Sequence, residues 1–301
     1  MKYLSTYQHY IFNETLINIE RSRGSIINKE EMIDILKKNC KEFLEDFIET
    51  KKPKIFRGLQ QSEDYKLIKP SESIRTSKNT SNHYTLIVDN SIRWSEYPKR
   101  SKSLICTTEY NIAKNFGEVY IVIPFDNAKI GVCPESDFWG SFKKGFPEIG
   151  CQLRDFTYDL RSNNVRADSY ENLLLDLSKL EVRLKENIEE FGYFKSTFDP
   201  NHITNTSGFF KNFNVNLSLY DQIDDAFDPN KNGFQLTNYS GLNNLKENIQ
   251  HSYKTHREEN LGFEIWSDSN CLLVKERLFK NLMKAILNKK NSFDISKYLN
   301  S

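Results

Sequence analysis

Residues 262–274 read GFEIWSDSNCLLV, two short apolar runs separated by the polar segment SDSN. Apolar runs of this length, bounded by turn-forming residues, are typical of buried β-strands. We therefore expect strands at GFEIW and CLLV, paired as a hairpin through SDSN. Glu264 opens the first run, and a carboxylate in a central strand is costly unless it is paired or used in chemistry. An exposed position on an edge strand is the alternative.

A second strand-like segment, KIFRGL, occupies residues 54–59 and contains Arg57 followed by Gly58. A guanidinium can donate paired hydrogen bonds to a pyrophosphate, and a neighbouring glycine lets the pyrophosphate approach the backbone closely. The alternative is an ordinary surface arginine that precedes a turn glycine.

A third segment, SLICTTEYNIAKNF, covers residues 103–116. Its first part predicts a strand at 103–107, and its second part predicts a short helix that Gly117 closes. The hydroxyls of Thr107 and Thr108 lie between the two elements. They either cap the helix or hydrogen-bond a ribose or a catalytic carboxylate.

The rest of the chain predicts a mixture of helices and strands around this β-core. Helical periodicity predicts one amphipathic helix over residues 28–52, capped by Asn28 and ended by Pro53. The remaining expectations are a strand or buried segment at 83–90, two strands within 118–134, an irregular stretch at 135–165, and helices at about 167–191, 241–253 and 275–290. The predicted fold class is therefore α+β, with a large and mostly helical insertion.

Composition narrows the function classes. The 301-residue chain has a net charge of +1, which argues against a global electrostatic attraction to nucleic acid. Its longest apolar run is far shorter than the ~20 residues of a membrane span, and the N-terminus lacks a signal-peptide pattern. The five cysteines contain no CxxC pair and the histidines lack ligand spacing. We therefore expect reduced thiols, no metal site, no membrane partner and a cytoplasmic location.

Taken in chain order, the three segments resemble the ADP-ribosyltransferase superfamily, in its arginine–serine–glutamate branch. They are similar in character to its phage-encoded and bacterial toxin members. The resemblance is carried by residues 56–58 (Phe-Arg-Gly), by residues 106–108 (Cys-Thr-Thr) with Ala113 and Phe116 in the helix that follows, and by Glu264.

The resemblance implies a single domain over residues 1–301 with a split, two-sheet β-core. Its expected parts are an N-terminal helical region at 1–53, the first half of the β-core at 54–150, a helical and loop insertion at 151–260, and the catalytic strand with a C-terminal helix at 261–301.

The resemblance also implies a reaction. NAD⁺ is expected as a substrate without a metal, and ADP-ribose is transferred to a protein side chain, with the cytoplasm of a host cell as one setting. Glu264 is expected to stabilise an oxocarbenium-like transition state, with Thr107 and Arg57 as the other catalytic residues. The expected dinucleotide-binding residues are Arg57, Gly58, Ser103, Cys106, Thr107 and Thr108. Transfer to a nucleobase of RNA or DNA, and a non-catalytic module that binds NAD or nucleic acid, remain alternatives.

Two departures from the family pattern bear on the acceptor and the site. Cys106 places a thiol where the family has a serine, and Ser103 on the same strand is a candidate to supply that hydroxyl. Gly262 stands where arginine-modifying relatives carry a second acid, which counts against arginine modification. Glu258 and Glu259, just upstream, are candidates to orient an acceptor.

Other features have competing interpretations. His83 and Tyr84 resemble the polymerase-type branch, but their adjacency argues against it. Basic residues interleaved with aromatics can bind single-stranded nucleic acid, hold NAD⁺ or form a solvated rim; they are Arg75, Lys78, Arg93, Lys99, Arg100 and Lys102, with Tyr84, Trp94 and Tyr97. Cys106 as a nucleophile lacks a nearby base in sequence. The basic C-terminal helix fits packing against the core better than a membrane surface.

Overall fold

The structure is a computed structural model that describes residues 24–60, 63–72, 74–75, 81–144, 153–191, 214–245 and 262–288. Within these residues the chain divides into two compact units. Residues 75–101 and 131–236 contribute to the first unit, and residues 24–74, 102–130 and 237–288 contribute to the second. These boundaries cut across the four regions expected from the sequence.

The described strands form one nine-stranded sheet in the order β1-β3-β9-β5-β2-β4-β8-β6-β7. Their bounds are β1 (Gly24–Ile26), β2 (Phe56–Leu59), β3 (Tyr65–Ile68), β4 (Leu104–Thr107), β5 (Glu118–Pro124), β6 (Ile130–Val132), β7 (Gln235–Thr237), β8 (Glu264–Ser267) and β9 (Cys271–Lys275). Together with the helices, this confirms the α+β class. The expectation of two separate sheets was wrong.

The described residues also form α-helices. They are α1 (Lys29–Asn39), α2 (Lys41–Thr50), α3 (His83–Asn90), α4 (Tyr110–Lys114), α5 (Leu153–Ser162), α6 (Tyr170–Phe191), α7 (Leu219–Ala226), α8 (Pro229–Asn232) and α9 (Glu276–Asn288). Short 3-10 turns occur at Pro70–Glu72, Ile92–Trp94, Arg100–Lys102, Trp139–Lys144 and Ser240–Asn243. Of the helix expected at 241–253, residues beyond 245 lie outside the described part.

Strand β2 holds the sheet of the second unit together. Along one edge it pairs with β5 over its whole length, with Phe56 opposite Ile121. Along the other edge it pairs with β4 in a single register, Phe56 opposite Thr107. Because Phe56 has a partner on both sides, the sheet is continuous where two sheets were expected. The connection between its two halves is nevertheless one residue pair wide.

The sheet must fold back on itself at this narrow connection. Ser267 ends β8 and Cys271 begins β9, so the link between them spans at most about 14 Å. In a flat sheet the strand order would separate β8 from β9 by four spacings, roughly 19 Å. The half that contains β4 and β8 therefore turns towards the half that contains β5 and β9. An apolar cavity lined by Cys106, Val122 and Cys271 lies between these halves.

The expected hairpin of GFEIW with CLLV was wrong, although both segments are strands. Strand β8 pairs with β4, and β9 pairs with β3 and β5. A polar link of this length is compatible with a hairpin, and only the long-range pairing partners exclude it.

Two helices replace the single N-terminal helix expected over residues 28–52. The capping box of Asn28 with Glu31 is present, which confirms the predicted start. Cys40 then interrupts the helix with a non-helical backbone, φ −132° and ψ 46°. Phe43 and Phe47 of α2 pack edge-on against Phe279 of α9, so the basic C-terminal helix is packed on the core, as expected.

Helix α3 occupies the segment 83–90, where a strand or a buried segment was expected. The run HYTLIVDN is almost continuously apolar, and such a run does not distinguish a short helix from a strand. Tyr84, Ile87 and Val88 are buried at helical spacing. In the segment expected to be irregular, α5 covers Leu153–Ser162.

The core of the first unit is strongly aromatic. Trp94 contacts the rings of Phe138 and Phe234 at 5.9 and 4.9 Å between centroids. Phe142 lies 4.9 Å from Phe227. Phe138 and Phe142 are therefore packing residues of this unit.

His83 gives the first unit a pH-dependent stability. Burial lowers the pKa of His83, Arg161 acts in the same direction, and the carbonyl of Val165 opposes them. The neutral ring donates from Nε2 to the Val165 carbonyl at 2.7 Å and accepts from Ser81 at Nδ1.

We predict that unfolding becomes easier as the pH falls below about 6.5, the ordinary histidine pKa, because the unfolded chain then binds a proton that folded His83 excludes. Urea denaturation at pH 7.5 and pH 5.5 measures this loss, and His83→Gln should reduce it. An identical pH dependence in the variant would contradict the prediction.

Candidate functional site

Three side chains lie in one row across the narrow connection of the sheet. Phe56 on β2 is opposite Thr107 on β4, and Thr107 is opposite Glu264 on β8. Directly opposed residues of antiparallel strands present their side chains on the same face. The structure therefore brings Thr107 and Glu264 together, with Phe56 as their neighbour.

Glu264 and Thr107 are almost fully buried, each with 3% of its surface exposed. Burial of a carboxylate is expensive unless other groups compensate for its lost hydration. Glu264 therefore does not occupy the exposed edge position that was its alternative in the sequence. A buried carboxylate at a strand end beside a hydroxyl is the kind of group that active sites retain at a cost in stability.

Arg57 follows Phe56 on β2, so its side chain leaves the strand on the face opposite the row, and it bridges β2 to β4. It is buried, and its terminal Nη1 donates a hydrogen bond to the backbone carbonyl of Ile105. The ladder between these strands is limited to the Phe56–Thr107 pair, so the guanidinium satisfies a carbonyl at the point where they diverge. Arg57 thus fixes the separation of the two halves of the sheet next to Thr107 and Glu264.

Gly58 makes room for helix α4. A Cβ atom added at Gly58 would lie 1.9 Å from the carbonyl oxygen of Ala113 and 2.8 Å from Cβ of Phe116. The open backbone at Gly58, which was expected to admit a dinucleotide, is occupied by the helix. The Arg57-Gly58 pair and the Ala113-Phe116 pair are therefore parts of one packing arrangement.

The two threonine hydroxyls hold the ends of β4 and β8. Thr107 Oγ1 accepts a hydrogen bond from the backbone N–H of Glu109 at 3.1 Å. Thr108 Oγ1 accepts from the N–H of Phe263 at 2.9 Å, and the N–H of Thr108 donates to the carbonyl of Phe263 at 3.0 Å. These bonds extend the pairing of the strands by one residue beyond the Thr107–Glu264 pair.

Gly262 packs directly against Glu109, a residue that the sequence argument did not single out. A Cβ atom added at Gly262 would lie 2.1 Å from Cβ of Glu109. The strand partners Thr107 with Glu264 and Thr108 with Phe263 place Glu109 opposite Gly262. No local pattern in the sequence marks Glu109, because its contact with Gly262 joins residues that are far apart in the chain.

Cys106 lies on the opposite side of β4 from Thr107. It lines a small apolar cavity with Leu104 of the same strand and Ile265 of β8. Cys271 lines it too, and the pKa of that thiol is raised by burial first, and then by Cys106 and Cys40. Cys106 is thus separated from the row of Thr107 and Glu264, in an apolar environment.

Ser103 directly precedes β4 and is buried with 1% of its surface exposed. In an extended chain it shares the face of Thr107, four residues along. Glu258 and Glu259 lie outside the described residues.

An aromatic pair borders the row. Phe56 is half-buried, and Tyr110 at the start of α4 is 36% exposed. Their rings meet edge to face with 5.9 Å between centroids. An exposed aromatic edge beside polar groups can accommodate a planar heterocycle.

The basic and aromatic residues of segment 75–102 that the structure describes are largely used inside the first unit. Arg93 forms ion pairs with Asp224 at 2.9 Å and Asp228 at 2.6 Å. Arg100 lies over the ring of Phe138 at 4.0 Å, and Trp94 is buried. These contacts favour a structural role for the segment over a surface for single-stranded nucleic acid.

His83 and Tyr84 are likewise internal to the first unit. His83 is hydrogen-bonded to Ser81 and Val165, and the Tyr84 hydroxyl is bonded to Thr157. Both residues lie on α3, in packing roles.

Comparison with protein-family models, with curated proteins and with solved structures found no significant match to this chain. In the described residues no helix is long and apolar enough to cross a membrane. The same part of the chain contains no cluster of three or more His, Cys, Asp or Glu side chains suited to a metal ion.

The close packing at Gly58 predicts how a substitution there changes the stability of the protein. Gly58→Ala should lower the free energy of unfolding by about 1–3 kcal/mol, because its new methyl group meets backbone atoms of Ala113. Gly140→Ala is the control, since the nearest atom to an added Cβ there is Asp137 Oδ2 at 3.6 Å. Urea denaturation compares the two variants, and a Gly58→Ala protein as stable as the control would exclude the close contact.

Proposed function

We propose that this protein is an NAD⁺-dependent mono-ADP-ribosyltransferase that cleaves the nicotinamide–ribose bond and transfers ADP-ribose to a protein side chain. The observation that carries the proposal is the buried Glu264 carboxylate opposite Thr107, at the narrow connection that Arg57 bridges. These are the three positions at which the sequence resembles the arginine–serine–glutamate branch.

Glu264 supplies the charge that this reaction requires. As nicotinamide leaves, positive charge develops on the ribose ring, and a fixed carboxylate in a water-poor environment stabilises it more strongly than water does. The ribose 2′-hydroxyl donates a hydrogen bond to Glu264 in the proposed complex. Thr107, directly opposite on β4, contributes its hydroxyl to the same face.

Arg57 acts in two ways in this proposal. Its guanidinium bridges to Ile105 and so holds the two halves of the sheet apart. The same cation attracts the pyrophosphate of the dinucleotide. Phe56 and Tyr110 provide aromatic surface beside the row for the nicotinamide or adenine ring.

A protein side chain is favoured over a nucleobase as the acceptor. The basic segment that would contact nucleic acid has Arg93 paired with two aspartates and Arg100 packed on Phe138. Cations that are neutralised in this way add little attraction for a phosphate backbone.

Replacing the carboxylate tests the proposal. Glu264→Gln keeps the size of the side chain and removes its charge, so nicotinamide release from NAD⁺ should fall by roughly 100- to 1,000-fold. Binding of NAD⁺, measured by calorimetry, should persist.

Glu118→Gln is the matched control, since Glu118 also opens a strand but pairs with Lys275 at 3.1 Å, away from the row. It should release nicotinamide near the wild-type rate. Near-normal turnover by Glu264→Gln would refute the catalytic assignment. Absence of nicotinamide release by the wild-type protein, with and without lysate, would favour a non-catalytic binding module instead.

The acceptor class is tested with NAD⁺ labelled in its adenylate portion. After incubation with cell lysate, the labelled product is divided and digested separately with protease and nuclease. We expect protease to convert the labelled product into small fragments and nuclease to leave it unchanged. The reverse pattern would assign the transfer to RNA or DNA.

A further inference from the structure

Two buried thiols from different halves of the folded sheet line the same small apolar cavity. Cys106 belongs to β4, and Cys271 begins β9. Both are free thiols, with 5% and 3% of their surfaces exposed. They line the cavity together with Val122 of β5 and Ile265 of β8. The two side chains therefore share one place in the core, although the strands that carry them do not pair with each other.

The strand register places both thiols on the same face of the sheet. One row of opposed residues crosses β4, β2, β5 and β9, and consists of Thr107, Phe56, Ile121 and Val274. Cys106 precedes Thr107 by one residue, and Cys271 precedes Val274 by three. Since an odd offset along a strand reverses the face, both thiols project to the face opposite this row. That is the face on which the two halves of the sheet enclose the cavity.

The environment of Cys271 also indicates that the two thiols are neighbours. Burial raises the pKa of the Cys271 thiol, and the next largest contribution comes from Cys106, followed by Cys40. An electrostatic effect of one thiol on another falls off with distance, so it identifies Cys106 as a near neighbour. The cavity that Cys106 and Cys271 line has room for about one water molecule.

We propose that Cys106 and Cys271 form a reversible disulfide in the presence of a peroxide, and that this bond locks the two halves of the sheet together. A disulfide holds its two Cα atoms about 4.4–6.8 Å apart, so the bond draws the walls of the cavity together. Thr107 directly follows Cys106 and is opposite Glu264, so the bond also restrains this pair. The disulfide is independent of the proposed function, whereas its effect on the reaction rests on that function.

The oxidation balances with hydrogen peroxide as the only co-reactant. The sulfur of one cysteine attacks a peroxide oxygen, the O–O bond breaks, and a sulfenic acid and a water molecule form. The sulfur of the second cysteine attacks the sulfenic sulfur, and a second water leaves as the S–S bond forms. The thiols lose two electrons and two protons, and the peroxide takes up both. A small thiol reverses the reaction by exchange.

Burial determines how readily this disulfide forms. The thiolate is the attacking species, and the raised pKa of Cys271 makes its thiolate scarce at neutral pH. The disulfide therefore forms slowly, under sustained exposure to peroxide. A buried cysteine that never reacts acts as a small apolar residue, which is the role that the experiment must separate from the proposed one.

Oxidation of the purified full-length protein tests the disulfide. The reduced protein is incubated with hydrogen peroxide, the remaining thiols are alkylated, and the protein is digested without reductant for mass spectrometry. We expect a pair of peptides joined through Cys106 and Cys271, which dithiothreitol separates. Cys271→Ala should lose this pair. Cys133→Ala is the matched control and should retain it, because Cys133 is a buried thiol that does not line the cavity.

The same samples measure the effect of the disulfide on the reaction. Oxidation should lower nicotinamide release by the wild-type protein by roughly 10- to 100-fold, because a restrained β4 misplaces Thr107 relative to Glu264. Dithiothreitol should restore the rate. Cys133→Ala should respond to peroxide as the wild type does, whereas the rate of Cys271→Ala should not change with peroxide.

Each outcome decides part of the inference. Absence of a joined pair, a pair that forms only in urea, or a pair of Cys271 with Cys40 would each refute the disulfide. A disulfide that leaves nicotinamide release unchanged would overturn its effect on the reaction. If the reduced wild-type protein releases no nicotinamide, the proposed function has failed, and the joined peptides still decide whether the disulfide forms.

Discussion

The pairing of Phe56 with Thr107 is the constraint on which the arrangement of the second unit depends. It is the single register in which β2 and β4 meet, and it joins the β4–β8 half of the sheet to the β5–β9 half. The link from Ser267 to Cys271 is too short to cross a flat sheet, so the two halves must approach each other. The narrow connection allows the fold-back and places a strand end, with its polar groups, beside Glu264.

Helix α4 and the residues around it stabilise this connection. Gly58 admits the carbonyl of Ala113, and Gly117, between α4 and β5, has φ 130°, which only glycine adopts without strain. Arg57 compensates for the missing ladder bonds by reaching the carbonyl of Ile105. The Arg57-Gly58 pair, strand β4 and helix α4 therefore pack against one another as one unit.

Local sequence patterns predicted where strands and helices occur better than they predicted which strands pair. The strands at Phe56, at Leu104 and at Glu264 follow from local apolar runs, whereas the short helix ends at Lys114, before the expected Gly117. The fold-back, the separation of β8 from β9 and the contact of Gly262 with Glu109 depend on residues more than 50 positions apart, which no local pattern encodes. The break at Cys40 was missed for another reason, because its flanks keep a helical period on both sides.

Arg57 and Glu264 carry unequal weight in the functional proposal. The bridge from Arg57 to Ile105 gives the arginine a structural reason to be buried, so its burial alone says little about a ligand. Glu264 is a carboxylate held in a strand, directly opposite the hydroxyl of Thr107 and 3% exposed. Carboxylates in such positions are common in active sites, where catalysis uses a group whose burial is costly. The functional proposal therefore depends on Glu264 more than on Arg57.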